Sequence, residues 1–254
     1  MKKFWVLLIA AAVLAVGAYG ISYANGLGNG ISDNGDPHNF VDNIKKNVLV
    51  ANSEVWNGRK EICRVCHVPH DHARATKRWQ NGLLWNHAVD DTTTFTMYDH
   101  TWSNTITGTQ STQPDGTAKL CLGCHDGVVA IDTFDSYTGG AANIMNYSAG
   151  YKVPGYTDAD WNNLRGTHPL SIEFPAGERG DGINFKDPET ELWDNGATVA
   201  STLDNGKVQC STCHDVHDQA AVIGTHLLRD YNSTAAMGNA DFNASKLCLT
   251  CHDK

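Results

Sequence analysis

All the cysteine in the chain falls in one five-residue word that occurs four times. The copies are Cys63-Arg64-Val65-Cys66-His67, Cys121-Leu122-Gly123-Cys124-His125, Cys210-Ser211-Thr212-Cys213-His214 and Cys248-Leu249-Thr250-Cys251-His252. Two thiols three residues apart, followed at once by an imidazole, can bond to the two vinyl groups of a porphyrin and ligate its iron from one face. Zinc ribbons also use paired cysteines, but about 15–20 residues apart and without a histidine after every pair. A thioredoxin-like dithiol occurs once, near a βαβ pattern. Structural disulfides do not repeat one spacing with a fixed fifth residue. The pattern therefore implies four covalent haems c. Cys63, Cys66, Cys121, Cys124, Cys210, Cys213, Cys248 and Cys251 form the thioethers, and His67, His125, His214 and His252 are the proximal iron ligands.

Twelve histidines are present. Beyond the four words stand His38, His70, His72, His87, His100, His168, His217 and His226. Past the leader only Met97, Met145 and Met237 remain, so Met/His ligation cannot serve four irons. Bis-histidine haems of low potential are expected. His70 and His217 each stand three residues after a proximal histidine. Three extended residues reach only ~10 Å, too short to round a porphyrin, so each must serve an iron other than that of its own word. Such sharing draws two haems together. His168 precedes Pro169, whose fixed backbone suits a ligand that must hold its aim. His87, in Leu84-Trp85-Asn86-His87, is a further distal candidate. His38 follows Asp36-Pro37 and reads, on local sequence alone, as a surface histidine. His72, His100 and His226 read as outer or surface groups.

The elements that must position these residues are sparse. Residues 1–24 read as a signal peptide: Lys2 and Lys3, an apolar run from Phe4 to Tyr19, and Ser22-Tyr23-Ala24 before Asn25. No cysteine lies there to take a lipid. Residues 25–254 are expected to form one tetrahaem domain, with an N-terminal arm at 25–45 and haem pairs at 63–125 and 210–252. Each pair opens with Cys-x-x-Cys-His-x-x-His and closes with Lys-Leu-Cys-Leu-x-Cys-His-Asp, the mark of a duplicated two-haem unit. Helical periodicity is weak. Short helices are expected within 50–66 and 235–251, strand-like stretches at 92–98 and 168–174, a turn at Pro114-Asp115-Gly116 and a hairpin turn at Asn205-Gly206. The fold class is thus a multihaem cytochrome c, mostly coil with short helices and a few short strands, its core built around porphyrins. Trp56, Trp79, Trp85, Trp102, Trp161 and Trp193 are candidate haem-packing aromatics. The formal charge of −9 grows more negative once Lys2 and Lys3 are cut away. It argues against nucleic acid and suits solubility, cationic partners or positively charged mineral surfaces.

Several stretches taken together resemble a known family. They are Pro37-His38-Asn39-Phe40, Cys63 to His70, Leu83-Leu84-Trp85-Asn86, Lys119 to Gly127, His168-Pro169-Leu170, Val208 to His217, Leu227-Leu228-Arg229 and Leu247 to His252. The chain resembles the secreted tetrahaem cytochromes that include the OmcE-type extracellular filaments, or cytochrome nanowires, of metal-reducing bacteria and some archaea. Members carry Arg or His after the Trp-Asn pair and fill four haems either way. The resemblance therefore implies His38, His70, His168 and His217 as distal ligands, with His87 in reserve. It also implies head-to-tail polymerisation. On that view His38, on its arm, ligates a haem of the next subunit, with the terminal haem at His252 as the expected acceptor.

The function expected is electron transfer through four bis-histidine haems, with no bond chemistry on a substrate. The setting is extracellular or cell-surface, or otherwise periplasmic. Expected partners are further copies of the chain, redox proteins or an extracellular acceptor such as a metal oxide. A soluble periplasmic shuttle is the alternative. A multihaem reductase would need an open iron position, often marked by an unusual proximal ligand, and all four words end in histidine.

Overall fold

The computed structural model describes residues 30–32, 36–41, 57, 60–68, 83–98, 108–134, 153, 162–175, 184–221, 225, 227–230 and 245–253. The expected leader lies outside them. So do His70, His72, His100, His226, Trp56, Trp79, Trp102 and Trp161. Among the described residues no helix is long and apolar enough to cross a membrane.

Coil dominates. Among the described residues there are four α-helices, α1 Gly116–His125, α2 Val199–Thr202, α3 Cys210–Cys213 and α4 Ser245–Leu249. Four two-residue strands occur: β1 Ile172–Glu173, β2 Asn184–Phe185, β3 Lys207–Val208 and β4 His252–Asp253. Strand β1 pairs antiparallel with β3, Ile172 opposite Val208, and β2 pairs antiparallel with β4, Phe185 opposite His252. The turn into β3 forms where Asn205-Gly206 places it. Both residues have positive φ, 52° and 76°, as a two-residue hairpin turn demands. Asp204 and Lys207 exchange backbone hydrogen bonds of 3.1 Å across it. The 92–98 stretch makes a single bridge, Thr96 to Asn163.

The longest helix among the described residues, α1, begins at Gly116, the last residue of the expected turn. Pro114-Asp115 ahead of it is a helix-start signal. Gly116, at φ 50°, is needed there, because a Cβ would sit 2.4 Å from Asp204 Oδ2. Asp115 ties this start to the second half of the chain. Its carboxylate accepts from Ser111 Oγ (2.6 Å), Lys207 Nζ (2.6 Å) and Gln209 Nε2 (2.8 Å), and Ser171 Oγ accepts from its backbone N–H (3.0 Å). Gln209 in turn begins α3 through a capping box with Thr212. One acid thus joins the helix of the second haem word to that of the third.

The apolar cluster is small: Phe95, Ala118, Leu122, Leu164 and Leu170, flanked by Met97 and Cys210. Trp193 is buried and donates Nε1–H to Thr202 Oγ1 at 3.0 Å, an ordinary core role.

Candidate haem-iron sites

Each word is wound into one helical turn. The first is a 3-10 turn, with the His67 N–H donating to Cys63 O at 2.7 Å. The second is the last turn of α1. The third is α3, with His214 N–H to Cys210 O at 3.0 Å. The fourth continues α4, with Thr250 N–H to Lys246 O at 2.9 Å, and sets His252 on β4. A helical turn puts residues i and i+3 side by side, so paired thiols share one edge. None of the eight cysteines is in a disulfide. Burial pushes the thiols of Cys124 and Cys251 up to about 12 and that of Cys213 to about 11. Cys66 is raised further by burial, and Cys210 is raised first by its hydrogen bond with Cys121 and then by burial. Thiol exchange needs thiolate, which burial at these sites disfavours. A thioether carries no charge to bury.

The thiols also order the words in space. Cys66 feels the charge of Cys124, Cys210 hydrogen-bonds Cys121, and Cys213 feels Cys248. The four words follow one another in space as they do in sequence.

Three of the proximal rings face a second imidazole. His38 and His125 lie 6.2 Å apart between ring centres, His67 and His217 6.4 Å, and His168 and His252 6.3 Å. A metal–imidazole bond of ~2.0 Å and about 1.1 Å from nitrogen to ring centre put two axial imidazoles about 6.2 Å apart. Direct stacking would bring the rings closer. The separations therefore fit one iron between each pair. Nitrogen roles agree. His67 Nδ1 meets Leu83 O at 2.7 Å, and His168 Nδ1 meets Pro169 O at 2.9 Å. A carbonyl only accepts, so each Nδ1 carries the proton and each Nε2 keeps its lone pair for a metal.

His217 faces His67, in the other half of the chain, and not the His214 of its own word. Two expectations change. The ring opposite His252 is that of His168, so the assignment of His38 to the terminal iron is corrected: His38 faces His125 of the same chain. The arm that was read as loose is stitched down there. His38 N–H donates to Asp36 Oδ1 at 2.5 Å, Asn39 Nδ2 to Ser32 O at 3.0 Å and Asn57 Nδ2 to Phe40 O at 3.4 Å. His87, the reserve ligand, is fully buried, with Nδ1 2.7 Å from Ala88 O and Nε2 3.0 Å from Ile131 O. Neither nitrogen is offered to an iron. Burial lowers its pKa against the pull of those carbonyls and of Asp126 and Asp132.

A cradle around the words went unread in the sequence. Val68 N–H donates to Leu84 O (2.9 Å) and Asn86 N–H to Cys66 O (2.8 Å). In the second half Asp215 N–H donates to Leu227 O (2.8 Å) and Arg229 N–H to Cys213 O (2.8 Å). Leu84 and Leu227 both hold positive φ, 53° and 60°. The bridges His67–Trp85 and His214–Leu228 match in the same way. The signal was one leucine in each half, Leu84 and Leu227; the Leu-Leu pairs that contain them are offset by one residue. Trp85 lies edge-on to His67, 5.7 Å between ring centres.

Compared with known proteins, the chain matches no family model and no curated protein.

Proposed function

We propose that the protein is an electron carrier with four covalent c-type haems, each iron gripped by two histidines. The observation that carries this reading is the set of three imidazole pairs at 6.2–6.4 Å, each containing the histidine of a Cys-x-x-Cys-His word. By the reciprocity of the two halves, His70 is the distal ligand of the His214 iron, as His217 is of the His67 iron. When bound, haem supplies a one-electron couple and nothing else is required of it. The chain's own residues attach it, hold His67 and His168 with Nδ1 protonated and Nε2 free for iron, and crowd neighbouring words together. With both faces of the iron taken there is no place for a substrate. Intact mass of the exported protein should show four haem additions, and the pyridine haemochrome assay should count four haems per chain. Free thiols at the eight cysteines would overturn the reading.

The carrier is proposed to work outside the cytoplasmic membrane as a head-to-tail filament, on the strength of the family resemblance. One observation favours the soluble shuttle instead: His38 meets His125 within a single chain, so a lone subunit completes this pair itself. Dilution separates the two. If His38 comes from a neighbour, one haem in four turns high-spin as subunits part, and His38→Ala gives the same spectrum at any concentration. If the pair is internal, the wild-type spectrum does not change on dilution.

A further inference from the structure

The matched backbone bonds around Leu84 and Leu227 make residues 87 and 230 equivalent in the two halves. Both are buried, His87 at 0% and Asp230 at 1% exposure. Both reach the second haem word of their own half. The His87 ring lies 3.4 Å from Cys124 Sγ. Asp230 Oδ2 accepts from Thr250 Oγ1 at 2.8 Å, inside the fourth word. The words have diverged to match. Where the fourth has Thr250, the second has Gly123, whose Cβ would fall 2.5 Å from Ala88 O. So the first half packs an imidazole ring against a bare backbone, and the second half sets a carboxylate against a hydroxyl.

The carboxylate has one cation. Lys246 Nζ lies 2.8 Å from Asp230 Oδ1 and is shared with Asp194. The equivalent lysine of the second word, Lys119, pairs with the exposed Asp91 and leaves position 87 alone. Two acids share one lysine: burial and the neighbouring Asp194 push the Asp230 pKa up, against Lys246 and Thr250, and the charge that Asp230 carries once ionised lies out of water, where solvent screens it least.

We propose that Asp230 sets the reduction potential of the fourth haem apart from that of its equivalent, the second. A buried carboxylate favours the more positive, oxidised iron, and Lys246 limits that effect. The proposal rests on the four-haem reading, and it fails separately from it.

The test is a spectroelectrochemical titration of holoprotein at pH 8 for wild type, Asp230→Asn and Lys246→Gln. The fourth wave is identified by its loss in the Cys248→Ser, Cys251→Ser double variant. Asp230→Asn should raise that one potential by about tenfold in the iron's reduction equilibrium, or about 59 mV. Lys246→Gln should move the same wave in the opposite direction, and the other three should hold. A loosened loop would move both variants the same way. Superimposable titrations, equal-signed shifts or a shift of all four waves would overturn the proposal. Should Asp230→Asn not fold, the sign from the half-exposed Lys246 decides alone. A protein with no haem would instead overturn the function proposed above.

Discussion

Exported without haem, the chain is expected to remain unfolded. The described apolar cluster has five members, the longest helix is ten residues and every strand is two. Burying one large apolar side chain contributes roughly 1.5–3 kcal/mol, and ordering one residue's backbone costs roughly 1–2 kcal/mol. A cluster of that size therefore orders little more chain than its own. On the proposed four-haem reading, the rest leans on four porphyrin faces and eight covalent bonds. A variant with all eight cysteines changed to serine should show a coil-like far-ultraviolet spectrum and rapid digestion by protease. Changing Cys121 and Cys124 alone should remove one haem and leave α1 without the group its last turn surrounds. A folded, protease-resistant eight-serine variant would show that the polypeptide holds itself together.

Removing single distal rings should give spectra that differ from pair to pair. The His67 and His217 planes lie 24° apart, whereas His38 and His125 lie at 79° and His168 and His252 at 65°. Nearly parallel imidazoles split the iron d-orbitals strongly and give a rhombic low-spin electron paramagnetic resonance signal. Nearly perpendicular ones leave the orbitals close in energy and give a single feature at large g. His217→Ala should remove the His67 iron's share of the rhombic signal, and His38→Ala or His168→Ala should each remove part of the large-g feature. In every case one haem of four should become high-spin and bind carbon monoxide. Acid should act in the same direction, because an iron-bound imidazole must shed its proton and protonation competes with ligation. Wild-type spectra in all three variants would mean these rings are not axial ligands.

How much of this was legible beforehand follows from what each feature depends on. The haem words are local chemistry, so spelling alone gives them. The bar on His217 serving its own word is a matter of reach, and chain length decides reach. The structure duly sets that ring against His67. The choice of His252 for His38 went wrong because nearness to the two chain ends says nothing of which helices meet. That is decided by Asp115, which draws α1 onto α3 through Lys207 and Gln209, about ninety residues away. Helix α1 was missed because its hydrophobic pattern is weak and its start is a glycine. His87 looked like a ligand because a histidine after Trp-Asn is easy to count. That both its nitrogens are taken by Ala88 and Ile131 carbonyls is a tertiary fact with no local trace. The cradle shares only a leucine between the halves, and its task depends on left-handed backbone at Leu84 and Leu227, which leucine rarely adopts.

The imidazole opposite His67 comes from residue 217. A chain threading outward amino-terminus first would therefore present its first iron long before that partner emerges. Until the third word has crossed, the earliest site would sit half-closed, open to carbon monoxide, oxygen or a borrowed ligand. The last stretch delivered would complete the first one made. Truncated products ending before that point would then leave the leading site with one axial imidazole instead of two.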